Sequence, residues 1–182
     1  MPEQKINDEA CMLMVKAGDL DAMIPLFDRY HEKLYNFFLR MCRDGEKAKD
    51  LTQTIFSRMI SYRHSFKKGH KFKSWMYQMA RNALIDSYHQ SQPETNWDPE
   101  TEYVREATTG AADEFEKVQQ EQTLMEAIGM LSEDEKQIIE LSRFQDLKYE
   151  EIARITGSSE GAVRVKVHRA VKKLREIYFQ MA

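Results

Sequence analysis

The chain has 182 residues, of which 42% are hydrophobic and 31% charged, and its net charge is only −3. This length allows one or two small buried cores. The sequence has neither an apolar run long enough to span a bilayer nor a basic and then apolar start, so we expect a cytoplasmic, unexported protein that does not insert into a membrane. Cys11 and Cys42 have no Cys or His close by, which favours buried reduced thiols over a metal site or a disulfide.

The charge is unevenly distributed along the chain. Residues 1–90 carry 15 Lys and Arg against 11 Asp and Glu, whereas residues 91–120 carry 2 against 8. The remaining residues are nearly balanced, with 10 against 11. An acidic stretch therefore separates two less acidic blocks, which favours two domains joined by a linker over a single globule.

Residues 1–90 have apolar side chains at helical spacing in four segments with short breaks between them. The first helix is predicted to begin near Asn7 or Asp8, either of which can cap it, and the second tolerates Pro25 in its first turns. The third follows the break at 43–45, and the fourth covers about 72–90. The second helix is predicted to turn one apolar face to the core: Leu26, Phe27, Tyr30, Leu34, Phe37, Phe38 and Met41.

Aromatic and basic residues alternate at the end of this block. Aromatic rings stack on unpaired bases, and Lys and Arg hold the backbone of a single strand, so the pattern predicts a surface for bases extruded from a duplex. The alternative is that Phe72 and Trp75 belong to the core and that the lysines around Gly69 only solvate a loop. The pattern comprises Tyr62, Phe66, Lys67, Lys68, Lys71, Phe72, Lys73, Trp75, Tyr77, Arg81, Tyr88 and His89.

Residues 91–112 have no periodicity and contain Pro93, Pro99 and many acids, so we expect a flexible acidic linker. Its Trp97 and Tyr103 either dock on a partner or contact their own domain.

The last block, residues 113–182, is predicted to be a four-helix domain. An amphipathic helix covers about 113–130, and the pair Ser132 and Glu135 has the spacing of a capping box for the next helix. A short helix, about 149–155, then ends at Gly157, and a long helix follows from about residue 160. Ser158 and Ser159 offer hydroxyls that can cap the long helix.

The long helix has the character of a DNA-recognition helix. Between residues 161 and 175 it carries six basic residues and no acid, which is the electrostatic signature of a surface that faces phosphates. Its apolar positions recur at helical spacing and leave Arg164, Val165, His168 and Arg169 on the opposite face. Arg can bridge guanine O6 and N7, and Val can touch a thymine methyl. The alternative is a basic solvated helix in an ordinary bundle. The residues predicted to pack are Ile152, Val163, Val167, Ala170 and Leu174.

With these two surfaces, the chain resembles a bacterial RNA polymerase sigma factor of the extracytoplasmic-function (ECF) class. The resemblance is carried by four segments: residues 17–42, residues 50–59 (DLTQTIFSRM), residues 72–90 (FKSWMYQMARNALIDSYHQ) and residues 131–176. It implies an all-α fold with two helical domains, a region-two domain in residues 1–90 and a region-four domain in residues 113–182. It also implies a non-catalytic promoter-specificity subunit without metal or cofactor.

The resemblance implies a role for each surface. The clamp helices in the largest subunit of core polymerase would contact the third helix of the region-two domain. The flap of the second-largest subunit would contact the region-four domain. The acidic linker would pass through the RNA channel, and an anti-sigma factor is an expected partner. The clamp-binding residues would be Asp50, Leu51, Gln53 and Phe56. The minus-ten strand would meet Phe66, Lys67, Lys68, Lys71, Lys73, Trp75, Arg81, Asn82 and His89. The minus-thirty-five duplex would meet Arg164, Val165, Lys166, His168, Arg169, Lys172 and Lys173.

Two other functions are compatible with parts of the sequence. A helix-turn-helix regulator that acts without polymerase would need a sensing or dimerising N-terminal domain, and residues 1–90 show no alternation of strands and helices that would favour one. An enzyme would need carboxylates such as Asp50, Asp86, Glu150 or Glu151, yet the sequence has no metal-ligand spacing and no phosphate-binding glycine loop.

Overall fold

The computed structural model describes residues 7–90 and 112–181, and within these residues the regular structure is entirely helical. Residues 91–111, which include Trp97 and Tyr103 of the expected linker, lie outside the described residues. The helices are α1 (Asp8–Ala17), α2 (Ile24–Cys42), α3 (Gly45–Ser61), α4 (Phe72–Gln90), α5 (Ala112–Gly129), α6 (Glu133–Ile139), α7 (Tyr149–Thr156) and α8 (Glu160–Met181), with 3₁₀ turns at Leu20–Met23 and Arg63–Ser65 and a π-helical turn at Glu140–Phe144.

The N-terminal domain, residues 7–90, is built from α1 to α4. Of the two caps that the sequence offered for α1, Asn7 is the one used: its side chain accepts the Ala10 backbone N–H at 2.7 Å. Asp8 then joins α1 to α2, since its carboxylate accepts hydrogen bonds from Arg29 at 2.6 Å and from the Tyr30 hydroxyl. Packing of α2 against α3 and α4 creates the core. Its most deeply buried large side chains are Met12, Leu26, Leu34, Phe37, Phe38, Ile55, Met59, Phe66, Phe72, Met76, Tyr77 and Leu84.

Phe27 departs from the predicted core face of α2. Its side chain is 46% exposed, and the preceding Ile24 is 60% exposed. The Phe27 ring packs on the rim of the core, with its centroid 4.8 Å from that of Phe56 on α3, and it also stacks with the His31 ring at 4.9 Å. Ile24 and Phe27 therefore form an apolar patch on the surface of the N-terminal domain, whereas the periodicity predicted that Phe27 is buried.

The C-terminal domain, residues 112–181, consists of α5 to α8. The predicted capping box is present: the Glu135 backbone N–H donates to the Ser132 hydroxyl, and the Ser132 N–H donates to the Glu135 carboxylate at 2.9 Å. The helix after this cap is interrupted, because residues 140–144 adopt the wider π-helical turn. Glu140 in that turn is buried and faces the N-terminal domain.

The two domains pack against each other. In this arrangement α4 lies against α7, and α2 approaches α5 and α6. The sequence predicted the two domains correctly as helical units, but nothing in its periodicity indicated an interface between them. Cys11 is buried in α1, Cys42 is partly buried at the end of α2, and both remain thiols.

Candidate nucleic-acid interface

The first candidate surface is the helix-turn-helix formed by α7 and α8. Gly157 ends α7 in the left-handed conformation, with φ at +66°, and its N–H donates to the Ala153 carbonyl. The Ser159 hydroxyl then caps α8 by accepting the Ala162 N–H at 3.2 Å. Although Lys148 supplies no side-chain cap at the start of α7, the Glu151 carboxylate accepts the Lys148 N–H at 2.9 Å. Both helices therefore have defined ends on the two sides of the turn.

A substitution at this turn tests the geometry directly. Gly157→Ala is expected to destabilise the protein by about 1 kcal/mol, because a Cβ is unfavourable at this positive φ even though no atom lies within 4 Å to clash with it. Gly161→Ala is the control, since Gly161 lies in α8 and alanine there should stabilise the helix by about 0.5–1 kcal/mol. Urea unfolding followed by circular dichroism measures both. Equal effects of the two substitutions would contradict the assigned turn.

The face of α8 that points away from the core is basic. Val163, Val167 and Ala170 are buried against the rest of the domain, as predicted. Val165, between them in sequence, is 48% exposed. The seven residues predicted to meet duplex DNA are all exposed: Arg164, Val165, Lys166, His168, Arg169, Lys172 and Lys173.

Some of these cations have intramolecular partners. Arg164 contacts Glu160 one turn earlier at 3.2 Å, a pair that the i, i+4 spacing could have predicted. Lys173 contacts Glu135 of the capping box at 2.8 Å, and this ammonium is the main reason that the pKa of Glu135 is lowered. Nothing in the local sequence indicated the second pair, because the partners are far apart along the chain. DNA phosphates would compete with these two carboxylates for the same side chains.

The second candidate surface is the loop before α4. Lys67, Lys68 and Lys71 are all exposed, and Gly69 lies between them with φ at +87°. The His70 N–H donates to the Lys67 carbonyl at 3.1 Å, which closes a turn. Three cations therefore project from a short, defined loop.

Phe66 does not belong to this surface, so its predicted role in strand contact is wrong. Its ring has no exposed area and packs edge-on against Trp75, with the ring centroids 5.3 Å apart. Its carbonyl accepts a hydrogen bond from Lys16 at 2.5 Å. Phe72 is buried in the same way, so of the two interpretations of Phe72 the core one is correct.

The remaining residues of the predicted strand surface occupy different environments along α4. Asn82 and His89 are exposed, whereas Lys73 and Trp75 are partly buried. The Trp75 indole N–H donates to the Ser65 hydroxyl at 3.3 Å. Arg81 is partly buried because its guanidinium donates to Gln137 of the C-terminal domain at 3.1 Å.

The predicted clamp-binding residues of α3 divide into two pairs. Asp50 and Gln53 are exposed on the helix surface. Leu51 and Phe56 are only 8% and 7% exposed and support the helix from inside, so little of either side chain reaches the surface of the free protein. Exposed apolar area lies nearby at Ile24 and Phe27, beside Phe56, although sequence periodicity had assigned Phe27 to the core.

The carboxylates considered for catalysis do not converge. Asp86 pairs with Arg58 at 3.4 Å, and Glu151 caps α7 and accepts the Ser74 hydroxyl at 3.1 Å. Within residues 7–90 and 112–181, no three or more His, Cys, Asp or Glu side chains are grouped so that they could hold a metal ion. In the same residues, every helix is too short or too polar to cross a membrane.

Known proteins are similar to this chain in sequence and in fold. The family model for Sigma-70 region 2 matches residues 26–93, and that for Sigma-70, region 4 matches residues 121–174. ECF RNA polymerase sigma factor SigW of Bacillus subtilis is 30% identical, with 89% of this chain and 91% of SigW covered. RNA polymerase sigma factor CarQ of Myxococcus xanthus is 29% identical, with 88% and 91% covered.

Two solved structures have the same fold. CnrH, in complex with the cytosolic domain of CnrY, superposes with a TM-score of 0.73 at 18% identity, over 96% of this chain and 99% of CnrH. RpoE of Bartonella quintana, in complex with the anti-sigma factor NepR, superposes with a TM-score of 0.68 at 24% identity, over 83% and 92% of the two chains.

Proposed function

Because the chain belongs to the ECF class of the sigma-70 family, we propose that it binds core RNA polymerase in the cytoplasm and directs initiation at promoters that it selects itself. The C-terminal domain recognises the minus-thirty-five duplex, and the N-terminal domain opens the minus-ten element. The observation that carries the proposal is that two exposed basic surfaces, the α8 face and the loop before α4, lie on separate domains of one chain.

Recognition of the duplex rests on the start of α8. Arg164 and Arg169 can each donate two hydrogen bonds to a guanine edge, and the exposed Val165 can contact a thymine methyl. His168 lies on the same face. Lys166, Lys172 and Lys173 neutralise phosphates and hold the helix in register without reading sequence.

Opening of the minus-ten element rests on the loop before α4 and the exposed side of that helix. Lys67, Lys68 and Lys71 hold the backbone of the displaced strand, while Asn82 and His89 offer hydrogen bonds to unpaired bases. Lys73 and Trp75 lie at the edge of this surface and are partly buried. Arg81 joins it once its contact with Gln137 is released.

Core polymerase binds both domains in this proposal. The clamp helices of the largest subunit contact Asp50 and Gln53 on α3 and the neighbouring apolar patch at Ile24 and Phe27. The flap of the second-largest subunit binds the C-terminal domain. An anti-sigma factor is a further proposed partner, by analogy with RpoE of Bartonella quintana, whose structure was solved with NepR.

The test is reconstitution. Purified protein should co-elute with core polymerase and give a run-off transcript of defined length from a cognate promoter, while the protein alone should bind the same duplex weakly. Tight binding to duplex DNA without polymerase, combined with no complex with core, would instead indicate an ordinary helix-turn-helix regulator.

A substitution in α3 tests where core polymerase binds the N-terminal domain. Asp50→Arg is expected to weaken the complex with core polymerase about tenfold or more, because it reverses a charge at the centre of the proposed contact. Asp134→Arg is the control, since it makes the same change at an exposed site at the start of α6, in the other domain. Fluorescence anisotropy with labelled protein measures both affinities, and equal losses for the two variants would argue against the assigned contact.

A further inference from the structure

The loop before α4, residues 67–71, is anchored at both ends in the core of the N-terminal domain. Phe66 before it and Phe72 after it are each 0% exposed. The Trp75 ring packs against both, with centroid distances of 5.3 Å to Phe66 and 6.4 Å to Phe72. Between these anchors all the residues from 67 to 71 are exposed. The position of the loop therefore depends on what fixes its two ends.

Helix α1 supplies a polar contact to each end of the loop. The Glu9 carboxylate accepts the Phe72 backbone N–H at 3.1 Å, and the Lys16 ammonium donates to the Phe66 carbonyl at 2.5 Å. Both side chains are partly buried. Because positions 9 and 16 are two helical turns apart, they lie on the same side of α1. One side of α1 therefore holds the chain directly before and directly after the loop.

The first turn of α4 needs an acceptor that the neighbouring sequence does not provide. The first N–H groups of a helix have no intrahelical partners, and a Ser, Thr, Asp or Asn just before the helix usually accepts one of them. Lys71 occupies that position, since its carbonyl accepts the Trp75 N–H at 3.2 Å, but an ammonium cannot accept a hydrogen bond. A lysine there also opposes the helix dipole. Glu9 supplies both the acceptor and the negative charge.

Helix α1 is itself held firmly enough to act as a support. Its Asp8 carboxylate accepts hydrogen bonds from Arg29 and Tyr30 of α2. The Tyr30 ring in turn packs against Phe72, with the ring centroids 5.2 Å apart. The end of the loop that Glu9 caps is therefore also packed against α2.

On the basis of the proposed function, we propose that Glu9 and Lys16 are positioning residues for opening of the minus-ten element. They hold the backbone at the two ends of the loop, so that Lys67, Lys68 and Lys71 already face the displaced strand when it leaves the duplex. A loop that is ordered in advance loses little conformational entropy when the strand arrives. Loss of either contact slows opening and leaves the binding of core polymerase and of the upstream duplex unchanged.

The opening rate tests this role. Glu9→Ala and Lys16→Met are each expected to reduce it about fivefold, which corresponds to one lost helix cap or hydrogen bond. The rate is measured with preformed holoenzyme and saturating promoter, from the fluorescence of a base analogue placed in the minus-ten element. The slope of log affinity against log salt concentration should stay at the wild-type value, because all three lysines of the loop remain.

Two readouts separate positioning from a general loss of stability. Glu9→Gln keeps an oxygen that can accept the Phe72 N–H, so its opening rate should return to within about twofold of wild type. Hydrogen exchange of the Phe72 amide, followed by NMR on the free protein, should become about fivefold faster in Glu9→Ala. In Glu9→Gln the exchange should slow again.

Asp44→Ala is the matched control. The Asp44 carboxylate caps α3 by accepting the Lys47 N–H at 3.0 Å, so the substitution removes a cap of the same kind from the same domain. Asp44 precedes α3, and the 17 residues of that helix place it about 25 Å from the segment that leads into the loop. Asp44→Ala should lower the melting temperature about as much as Glu9→Ala does, without slowing opening.

The outcomes separate the two proposals. A wild-type opening rate for Glu9→Ala or for Lys16→Met would overturn the positioning role alone. So would an equal slowing by Asp44→Ala, or a Glu9→Gln variant as slow as Glu9→Ala. If wild-type holoenzyme does not open the minus-ten element at all, the proposed function is overturned.

Discussion

Replacing Arg164 and Arg169 together with alanine is expected to reduce initiation at the cognate promoter at least thirtyfold. Each arginine that bridges a guanine contributes about 1–3 kcal/mol of discrimination, so losing two of them costs about 2 kcal/mol or more. Both side chains are exposed and neither supports the fold. Run-off transcription with core polymerase measures the loss, and the complex between the variant and core polymerase should remain intact.

Arg175→Ala is the matched control for this pair. Arg175 lies in the C-terminal half of the same helix, where it lines the groove between α5 and α8 with Leu174 and Tyr178. Its loss should reduce initiation by less than about threefold, because it removes charge without removing a base contact. A control as defective as the double variant would mean that α8 acts through its total charge and does not select the promoter.

Replacing Lys67 and Lys68 with alanine should impair opening of the minus-ten element while leaving recognition of the upstream duplex intact. Both ammonium groups project from the loop before α4, the surface that is proposed to hold the displaced strand. In a plot of log affinity against log salt concentration, each phosphate contact to a single strand contributes about −0.7 to the slope. Because the variant loses two such contacts, its slope should be less negative than that of wild type by roughly 1.4. Initiation measured across a series of KCl concentrations gives this slope.

Lys33→Ala serves as the control, since it removes a lysine from the exposed side of α2. Its salt slope should match that of wild type. An unchanged slope for the loop variant would instead place the lysines away from the strand.

The sequence was sufficient for the elements that have strong local signals. Asn7, Gly157 and the Ser132–Glu135 capping box set helix ends through bonds within four residues, and all three appear as predicted. The buried face of α8 also followed from spacing, because a helix with one apolar stripe has a single way to pack. The α-helical fold class and the two-domain organisation depend on these local features.

The sequence was insufficient where burial depends on neighbours that are distant along the chain. Phe66 sits among lysines, so its composition suggested a base-stacking residue, but the gap beneath Trp75 buries it completely. Phe27 belongs to the apolar stripe of α2 but meets the core only at its rim, through the Phe56 ring, and it is 46% exposed. Glu140, an acid in a helical segment, gave no sign that it meets Arg40, 100 residues earlier in the chain.

The most direct test of the central claim is permanganate footprinting of promoter DNA with the reconstituted holoenzyme. Thymines in the minus-ten element should become reactive when both the protein and core polymerase are present, and should stay protected with either component alone. Reactivity at the same thymines should drop sharply with the Lys67→Ala, Lys68→Ala variant. If these thymines remain unreactive while the wild-type protein is bound to polymerase and promoter, the protein does not open DNA and the account is contradicted.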